Sequence, residues 1–583
     1  MDLKNQFTYL RQIRDQSRTM SASELTALVT EAVQGMGSDR FRSQAAEALD
    51  ESLRPSRVVP NRYQEYKPVV KDGIRLFLSR LSVERLVRIL VSQMLMPEDT
   101  SSEARLVELA KQIPTLHKLG QIIARNRNMD LRARKWLINL ENGQYGTDIK
   151  PICRHLTRRL GKDMERFSIE LASEPLSEAS VGVVIPFHWT DPSSSRKRQG
   201  VFKIIKPNVR QQIDEEVDIL EFVSHHFQDN REKYELNNLG FIDMFEEVKA
   251  ALLEEVDLLG EQRHLWDANQ FYQKASTVAI PKLAPFSSKY ATAMTYMPGM
   301  KITDYPMSVQ ERKSCAVRLY QTLICAPLFS KQTSPLFHGD PHAGNIFANR
   351  LSQSGDIQTV LLDWSLAGRL HRKWRLGVLK LVQAIIRENP DLIIQSLCSL
   401  TDEATDDAVK ERIRTAYAWI VDRLHYQSAS LVKKTFMLLD RVSLEGVLFP
   451  KDLLLFRKAF FTLEGVLSDL DPEFAMDMVT MKTIFELVMV EVPRRIANVL
   501  MPMFDSPEKY RSMMSNRDLQ LIFTHQALAF IKRNTDFMVD FFDNNIQFLL
   551  ELAQWPLVGT AKTMKVMLGM YYLMPIPWNM KQS

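Results

Sequence analysis

The pattern of apolar and polar positions divides the chain into helical and strand-like stretches. Over residues 1–110, apolar side chains recur at intervals of three and four, which is the spacing of amphipathic helices. The clearest stripe comprises Leu76, Leu78, Leu81, Val83, Leu86, Ile89, Leu90 and Val91. The pattern therefore predicts an N-terminal helical region.

Short β-branched runs follow further along the chain. Residues 181–187 and 200–205 are two such runs, and the polar linker at 190–199 separates them, which predicts a strand–loop–strand hairpin. A third strand-like run occupies residues 290–297 and ends at Pro298-Gly299. We therefore expect a small sheet in this part of the chain.

Helical periodicity surrounds these strands. It covers residues 213–227 and 241–259, and it dominates from residue 308 onward except at 336–365. An order of helices, a small mixed region and a helical half predicts an α+β fold.

Composition narrows the class of protein. The 583 residues are 45% hydrophobic and 25% charged, as in ordinary globular proteins. At roughly 150 residues per domain, about three or four units are expected. The 75 basic and 70 acidic residues leave a net charge of +5, a surplus too small to predict a nucleic-acid partner.

Cysteines and apolar runs indicate the compartment. The four cysteines form no CxxC pair and lack zinc-ligand spacing, so neither a disulfide framework nor a cysteine metal site is expected. The N-terminus lacks the pattern of a signal peptide, and no uncharged apolar run reaches 18 residues. These features predict a cytoplasmic protein without a conventional spanning helix.

The segment from His338 to Asn345 reads His-Gly-Asp-Pro-His-Ala-Gly-Asn and contains parts that phosphoryl transfer needs. Asp340 is a candidate to orient or deprotonate an acceptor hydroxyl or water. Asn345 offers a side-chain oxygen to Mg²⁺, and Asp363 brings a carboxylate from the end of an apolar strand. A polar turn with a capping aspartate explains either piece alone, but both together, 18 residues apart, favour a metal site.

Phosphate-binding groups are expected upstream. Lys203 lies on an otherwise apolar strand, where it is a candidate for the α- and β-phosphates; a lysine on an edge strand that points outward is the simpler alternative. The loop at 175–182 lacks the GxGxxG spacing that cradles phosphates. Its small residues permit close approach to a nucleotide, although an ordinary turn has the same composition.

Further motifs give the chain a resemblance to a known family. They are Lys118-Leu-Gly-Gln121, similar to a KxGQ motif; residues 175–182, in place of an alanine-rich nucleotide loop; Glu255-Val-Asp257, similar to an ExD motif; and residues 363–368, in place of Asp-Phe-Gly-x-x-Gly. By the order of these motifs over residues 110–400, the chain resembles the UbiB/AarF (ADCK-type) atypical kinases, which are associated with ubiquinone and other prenyl-lipid metabolism.

The resemblance implies a bilobal protein-kinase-like fold of the α+β class with helical extensions at both ends. The expected parts are an N-terminal helical region (1–110), a KxGQ helical extension (111–165), an N-lobe with the ExD helix (166–300), a C-lobe core (301–400) and a helical C-terminal extension (401–583).

The resemblance also implies ATP and Mg²⁺ as cofactors. It assigns catalysis to Asp340 and to Lys203 paired with Glu261, and it makes Asn345 and Asp363 the metal ligands. The implied nucleotide-binding residues are Ala179, Ser180 and Gly182 in the loop, Met294 and Tyr296 in the hinge, and Lys118, Gln121, Glu255 and Asp257 over the pocket. A pocket closed by the KxGQ extension excludes bulky proteins and admits water or a small or lipid-like molecule.

The chain departs from the family pattern at three places. Ser177-Glu178-Ala179 replaces a run of alanines and places a carboxylate near the phosphates, Trp364-Ser365 replaces Phe-Gly, and Thr295 stands where a hinge glutamate is usual. Because every charged catalytic group is retained, active phosphate chemistry is favoured over a pseudokinase.

The leading hypothesis is an ATP-dependent kinase or ATPase that supports ubiquinone or other prenyl-lipid metabolism, with quinone precursors and lipid-pathway enzymes as partners. One alternative is a small-molecule phosphotransferase of the aminoglycoside- or choline-kinase type, which shares the His-Gly-Asp-x-His-x-Gly-Asn pattern but lacks KxGQ and ExD elements. Another is a nucleotide-sensing pseudokinase scaffold. A typical Ser/Thr protein kinase is not expected, since no Ala-Pro-Glu segment follows Asp363.

The end of the chain predicts contact with a membrane surface. No acidic residue follows Glu551, and residues 566–578 carry no charge. This stretch is too short to cross a hydrocarbon core of about 30 Å as a helix. Its aromatic residues and the neighbouring lysines suit a helix at the surface, although packing into a groove of its own fold is the alternative. A location in the cytoplasm, peripheral to the inner face of a membrane, is therefore expected.

Overall fold

The computed structural model describes residues 20–55, 59, 64, 66–116, 118, 148–178, 181–234, 241–275, 277–351, 355–403, 406–426, 430–500, 505–521 and 524. The chain forms two compact units. Unit 1 contains Met1–Trp266 and Pro281–Met297, and unit 2 contains Asp267–Ile280 and Pro298–Ser583. The five-part division expected from the sequence stays a prediction.

Helices occupy the described residues before the first strand. They are α1 (Ala22–Met36), α2 (Ser38–Leu53), α3 (Lys67–Arg80), α4 (Val83–Met94), α5 (Ser102–Gln112), α6 (Lys150–Leu160) and α7 (Lys162–Arg166). Ser21 and Glu24 form a capping box that begins α1. The apolar stripe over residues 76–91 is divided between α3 and α4, because the chain turns at Leu81 and Ser82.

Strands and helices alternate in the middle of the chain. They are β1 (Glu170–Leu171), β2 (Ser177–Glu178), β3 (Gly182–Asp191), β4 (Arg196–Ile205), α8 (Val209–Asp229), α9 (Phe241–Glu255), α10 (Leu258–Phe271), β5 (Val278–Ala279), β6 (Ala291–Thr295) and β7 (Met300–Lys301).

The rest of the described chain is mainly helical. Its elements are α11 (Val309–Tyr320), a π-helix (Gln321–Cys325), α12 (Ala326–Leu328), β8 (Leu336–His338), a 3₁₀ turn (Ala343–Asn345), β9 (Ile346–Arg350), β10 (Ile357–Leu361), β11 (Ala367–Arg369), α13 (Arg372–Ile386), α14 (Pro390–Leu400), α15 (Asp407–Tyr426), α16 (Leu431–Leu444), α17 (Lys451–Leu470), α18 (Met476–Leu500) and a 3₁₀ turn (Pro507–Lys509). These elements and the strands above confirm the predicted α+β class.

Unit 1 is built around an antiparallel sheet with the order β1-β3-β4-β6, and β2 also pairs with β3. The predicted hairpin is confirmed, but it is longer than the sequence indicated. Most of the polar linker at 190–199 is strand, because β3 extends to Asp191 and β4 starts at Arg196. Its side chains are largely exposed while its backbone stays paired. An exposed hairpin end needs no apolar alternation.

An aromatic core lies on one face of this sheet. Phe187, Phe202 and Phe286 contact one another, and the apolar residues of α6 belong to the same cluster. The sequence predicted one helical stretch over residues 241–259, whereas α9 ends at Glu255 and α10 begins at Leu258. Asp257 interrupts the helix because its carboxylate caps α10.

Unit 2 contains a four-stranded sheet with the order β5-β10-β9-β7 and a two-stranded pair of β8 with β11. Strand β5 runs parallel to β10, and the other pairs are antiparallel. Buried aromatic side chains, among them Tyr320, Phe436, Phe456 and Phe460, fill the helical part. Within the described residues, no helix combines the length and the apolar character needed to span a bilayer. The tail at 562–578 lies outside the described residues.

Candidate functional site

The lysine of strand β4 has an acidic partner. Lys203 pairs in the ladder with Val184 and Thr292, in the middle of the sheet. Its Nζ donates to Oε1 of Glu261 at 2.7 Å, and Glu261 lies in the first turn of α10. The Lys203 side chain is 18% exposed and that of Glu261 4%. A charge-assisted bond in such a secluded place fixes the direction of the lysine.

A second ion pair of unit 1 joins the KxGQ and ExD motifs. Lys118 Nζ contacts Glu255 Oε1 at the end of α9. Asp257 serves a different purpose, because its Oδ1 accepts the Gly260 N–H at 2.9 Å and its side chain is half exposed. A Cβ at residue 260 would lie 2.4 Å from Asp257 Oδ2, so a side chain there would displace the capping carboxylate. Gln121 lies outside the described residues.

The loop before β3 holds its unusual glutamate against a lysine. Ala179 and Ser180 lie outside the described residues, and Gly182 begins β3 opposite Ile205. The Glu178 carboxylate lies 2.8 Å from Lys206 Nζ, and both side chains are largely buried. The carboxylate that was predicted to lie near the phosphates therefore has a counter-charge within the fold.

The predicted hinge begins in the last residues of β6 and continues beyond the strand. Met294 pairs with Val201 of β4. The Tyr296 N–H donates to the Gln199 carbonyl at 3.2 Å, so this donor is already engaged by the chain. The division between unit 1 and unit 2 falls two residues later, between Met297 and Pro298. The predicted contact of Met294 and Tyr296 with adenine stays a prediction.

In unit 2, His338 connects the backbone of two motif segments. Its Nδ1 accepts the Asp340 N–H at 3.2 Å, and its Nε2 donates to the Leu362 carbonyl at 2.9 Å. This arrangement requires the neutral ring with a proton on Nε2. Burial lowers the pKa of His338 below its ordinary value, which keeps the ring neutral. One histidine thus positions residues next to both Asp340 and Asp363.

Asn345 is tied to the same two segments. Its Nδ2 donates to the Asp340 carbonyl at 3.1 Å, and its own carbonyl accepts the Leu362 N–H at 2.8 Å. An amide whose nitrogen is held in this way directs its oxygen elsewhere. The side-chain oxygen is the atom that a hard cation would use.

Asp363 adopts a backbone conformation that is rare for a residue with a side chain. Its φ is +49°, in the left-handed region. Its Oδ1 accepts both the Ser365 hydroxyl at 2.6 Å and the Ser365 N–H at 3.1 Å. The serine that replaces the family glycine therefore orients this carboxylate. Such strain at one residue is typical of functional positions.

Trp364 packs behind this turn. It is buried, and its ring centroid lies 4.7 Å from that of His338 and 6.0 Å from that of Tyr272. The larger aromatic ring that replaces phenylalanine thus fills an apolar space next to the histidine. Asp340, Asn345 and Asp363 themselves remain partly accessible.

The donor set of unit 2 fits Mg²⁺. Carboxylate and amide oxygens are the hard ligands that this ion prefers. Within the described chain, no group of three or more His, Cys, Asp or Glu side chains is arranged to hold a metal ion. Because Mg²⁺ in such sites commonly uses one or two carboxylates together with substrate phosphates, the residues present suit an ion that arrives with a nucleotide.

Sequence reasoning missed three of these contributions. It treated Ser365 only as a departure from the family glycine and did not assign the hydroxyl to Asp363. It gave no role to His338, and it did not pair Lys206 with Glu178. Their positions could have pointed to these residues, because each of the three lies in a recognised motif or within a few residues of one. Pairing across strands and turns, which made the contacts, cannot be read from spacing.

Comparisons with known proteins show similarity to atypical kinases. Residues 140–397 match the ABC1 atypical kinase-like domain. The chain is 24% identical over 374 residues to the Protein ACTIVITY OF BC1 COMPLEX KINASE 7, chloroplastic, of Arabidopsis thaliana, covering 62% of this chain and 51% of the relative. It is 22% identical over 290 residues to the Probable protein kinase UbiB of Aliivibrio fischeri, covering 48% and 50%.

The chain spans about half the length of these curated relatives. Among solved structures, it is similar to the Rv3197–erythromycin complex from Mycobacterium tuberculosis, with a TM-score of 0.36 and 14% sequence identity, covering 69% of this chain and 91% of that chain. A similarity of this size carries no information about function.

Proposed function

We propose that this chain, whose residues 140–397 match the ABC1 atypical kinase-like domain, is an atypical kinase of the UbiB/AarF type. In this proposal it binds ATP with Mg²⁺ and transfers phosphate to water or to a small or lipid-like acceptor. The observation that carries the proposal is the Lys203–Glu261 pair. Kinases bind the α- and β-phosphates with a lysine on a central strand, and a buried glutamate from a helix holds that lysine.

The residues of unit 2 have distinct roles in this proposal. Asp340 orients the acceptor hydroxyl or water and takes its proton. Asn345 and Asp363 would hold Mg²⁺, which would neutralise charge on the phosphates. His338 and Ser365 position the backbone and the carboxylate that these roles require.

Turnover measurements test the proposal. The wild-type chain is expected to hydrolyse or transfer phosphate from ATP in the presence of Mg²⁺, whereas Lys203→Met and Glu261→Gln lose most of this activity. Lys197→Met is the matched control, because Lys197 lies on the same strand but is exposed and pairs with Glu170. Full activity in Lys203→Met would contradict the proposal.

We further propose that this chemistry supports ubiquinone or other prenyl-lipid metabolism at the inner face of a membrane. The resemblance to UbiB-type kinases supports the pathway, and the uncharged tail at 566–578 supports the location. Turnover measured with and without lipid vesicles and a quinone-like headgroup provides the test. Equal turnover in all four conditions would count against a lipid-linked role.

A further inference from the structure

Helix α6 has two faces of opposite character. Ile152, Leu156 and Leu160 are buried in the aromatic core of the unit 1 sheet. The other face carries exposed basic side chains, and the helix contains no aspartate or glutamate. The exposed side chains are Lys150, Arg154, His155, Arg158 and Arg159. We call this surface the basic face of α6.

The cations of the basic face form a stripe. Lys150, Arg154 and Arg158 recur at every fourth residue, so they lie along one side of the helix over about 12 Å. Within the described part of the chain, no ion pair joins any of these three to a carboxylate. Asp148 precedes the helix, and its carboxylate accepts the Lys150 backbone N–H at 3.0 Å. Asp163 belongs to α7, beyond the end of the stripe.

Two basic residues of the β3–β4 hairpin have acidic partners. In the β3–β4 hairpin, Lys197 lies 3.0 Å from Glu170, and Arg198 lies 2.7 Å from Asp191. Lys150, Arg154 and Arg158 differ from these two hairpin residues because no carboxylate within the described residues forms an ion pair with them. An uncompensated stripe on a helix that needs only its other face for folding points to an external anionic partner.

An exposed aromatic ring lies at the edge of the basic face. The Arg159 guanidinium lies 4.2 Å from the centre of the Tyr290 ring, and its Nη1 donates to the Tyr290 hydroxyl at 3.2 Å. Lys289 Nζ lies 5.2 Å from the same ring. Tyr290 is 37% exposed. Tyrosine beside cations is characteristic of surfaces at the level of lipid headgroups.

We propose that the basic face of α6 docks the chain on a bilayer that contains anionic phospholipids. Long basic side chains on a single convex helix suit a planar array of phosphates better than a defined polyanion, which would require a groove or clustered cations on several elements. The proposal rests on the membrane location proposed above and deepens it by naming the surface and the lipid charge, and docking itself requires no nucleotide chemistry.

Vesicle binding by the full chain tests this proposal. The probes are vesicles of phosphatidylcholine alone and of phosphatidylcholine with phosphatidylserine, and the test variant is Arg154→Glu/Arg158→Glu. The matched control, Arg88→Glu/Arg414→Glu, reverses two cations on other exposed helix faces, each beside a glutamate of its own helix. Each cation near an anionic surface contributes roughly fivefold to binding. We therefore expect the test variant to lose at least about 20-fold in affinity for acidic vesicles.

The other measurements separate the alternatives. Binding of wild type and control to acidic vesicles should weaken with added salt, and binding to neutral vesicles should be equal in all variants. The neutral variant Arg154→Gln/Arg158→Gln should fall between wild type and the reversal, and unchanged thermal unfolding would show that both are folded. Binding to duplex RNA is measured in parallel. The proposal is overturned if the charge-reversal variant binds acidic vesicles as the control does, or if it loses binding to RNA and not to the vesicles.

Discussion

The Ser365 hydroxyl determines how the Asp363 carboxylate is presented. Hydroxyl and backbone N–H both donate to Oδ1, so the orientation of the carboxylate is fixed by one residue. A glycine at position 365 would supply the N–H alone. Ser365 is not among the residues with positive φ, so its backbone needs no glycine. The departure from Asp-Phe-Gly therefore adds a contact to the metal ligand.

Ser365→Ala should weaken the Mg²⁺ dependence of nucleotide binding. A hydrogen bond to a charged group contributes about 1.5–3 kcal/mol, so the Mg²⁺ concentration needed for half-maximal nucleotide binding is expected to rise by at least roughly tenfold. Ser365→Thr keeps the hydroxyl and should stay close to wild type. Calorimetric titrations of nucleotide over a series of Mg²⁺ concentrations provide the measurement. If alanine and threonine behaved alike, the hydroxyl would have no such role.

His338 makes stability depend on pH. Burial lowers its pKa in the folded chain below the ordinary value of about 6.5, so the folded state disfavours the proton that the unfolded state accepts. The stability that the neutral His338 contributes is fully present when the pH is above that ordinary pKa. It is lost as the pH falls through the pKa of the folded state. The free energy of unfolding can fall by up to about 1.4 kcal/mol per pH unit from this group.

Denaturant unfolding from pH 7.5 to 5.5 should therefore show a steeper loss of stability for wild type than for His338→Gln. Glutamine is neutral and can still donate and accept, while it does not titrate. The difference between the two slopes isolates the histidine from the carboxylates that both proteins share. Parallel slopes would show that His338 titrates normally in the folded chain.

At the scale of elements, apolar periodicity predicted the helices that bury one face along their length. Helix α8 (Val209–Asp229) includes the predicted stretch 213–227, because one of its faces is buried and repeats at helical spacing. The hairpin was underestimated because an exposed strand has no apolar alternation. The break at Asp257 could have been read as a capping aspartate, but the ion pair that joins Lys118 to Glu255 across 137 residues could not.

Glu178 of β2 and Lys206, which follows β4, form an ion pair, and we expect their effects on nucleotide binding to be coupled. Glu178 and Lys206 are both largely buried, so Lys206→Ala leaves a carboxylate without this counter-charge near the nucleotide loop. We expect weaker nucleotide binding in Lys206→Ala and little change in Glu178→Ala. The double variant should recover most of the affinity. A double-mutant cycle on the nucleotide Kd measures this coupling, and additive effects would contradict it.

A buried network connects the N-terminal helices to the KxGQ motif. Arg85 of α4 pairs with Glu216 of α8, and the second oxygen of Glu216 accepts the Thr115 N–H at 2.8 Å. Thr115 lies three residues before Lys118. Because Glu216 is fully buried, loss of its partner leaves an uncompensated charge inside unit 1.

Arg85→Ala should destabilise the chain by about 3–5 kcal/mol, the cost of breaking a buried ion pair from one side. Arg85→Met/Glu216→Leu removes both charges and should restore much of this stability. Chemical denaturation followed by circular dichroism compares them, and Arg88→Ala on the exposed side of α4 is the control. A double variant no more stable than Arg85→Ala would show that the charges are not the source.

At the scale of the whole molecule, each unit is formed by two segments that are not consecutive in the chain. Asp267–Ile280 belongs to unit 2 although it precedes a segment of unit 1. The reason is β5, whose two residues pair in parallel with Thr359 and Val360 of β10. A strand of two residues has no detectable period, so sequence patterns could not assign it. The motif residues could be found from the sequence because the types of residue indicate their chemistry, whereas they do not indicate this strand pairing.

Stability of the intact chain also separates binding from catalysis. A ligand at a hundred times its Kd raises the free energy of unfolding by about 2.7 kcal/mol, so a non-hydrolysable ATP analogue with Mg²⁺ should raise the melting temperature of wild type. Asp363→Asn should lose this shift because it removes a metal ligand. Asp340→Asn should keep it and lose turnover, since Asp340 acts on the acceptor.

Chelation of Mg²⁺ supplies the control, because it should abolish the shift in wild type and in Asp340→Asn alike. A nucleotide-sensing scaffold would show the same shifts in wild type without any turnover, and it would retain its cellular role in Asp340→Asn. An enzyme requires the opposite result for that one variant. Asp340 therefore decides between the two functions, whereas Asp363 tests only whether metal and nucleotide bind.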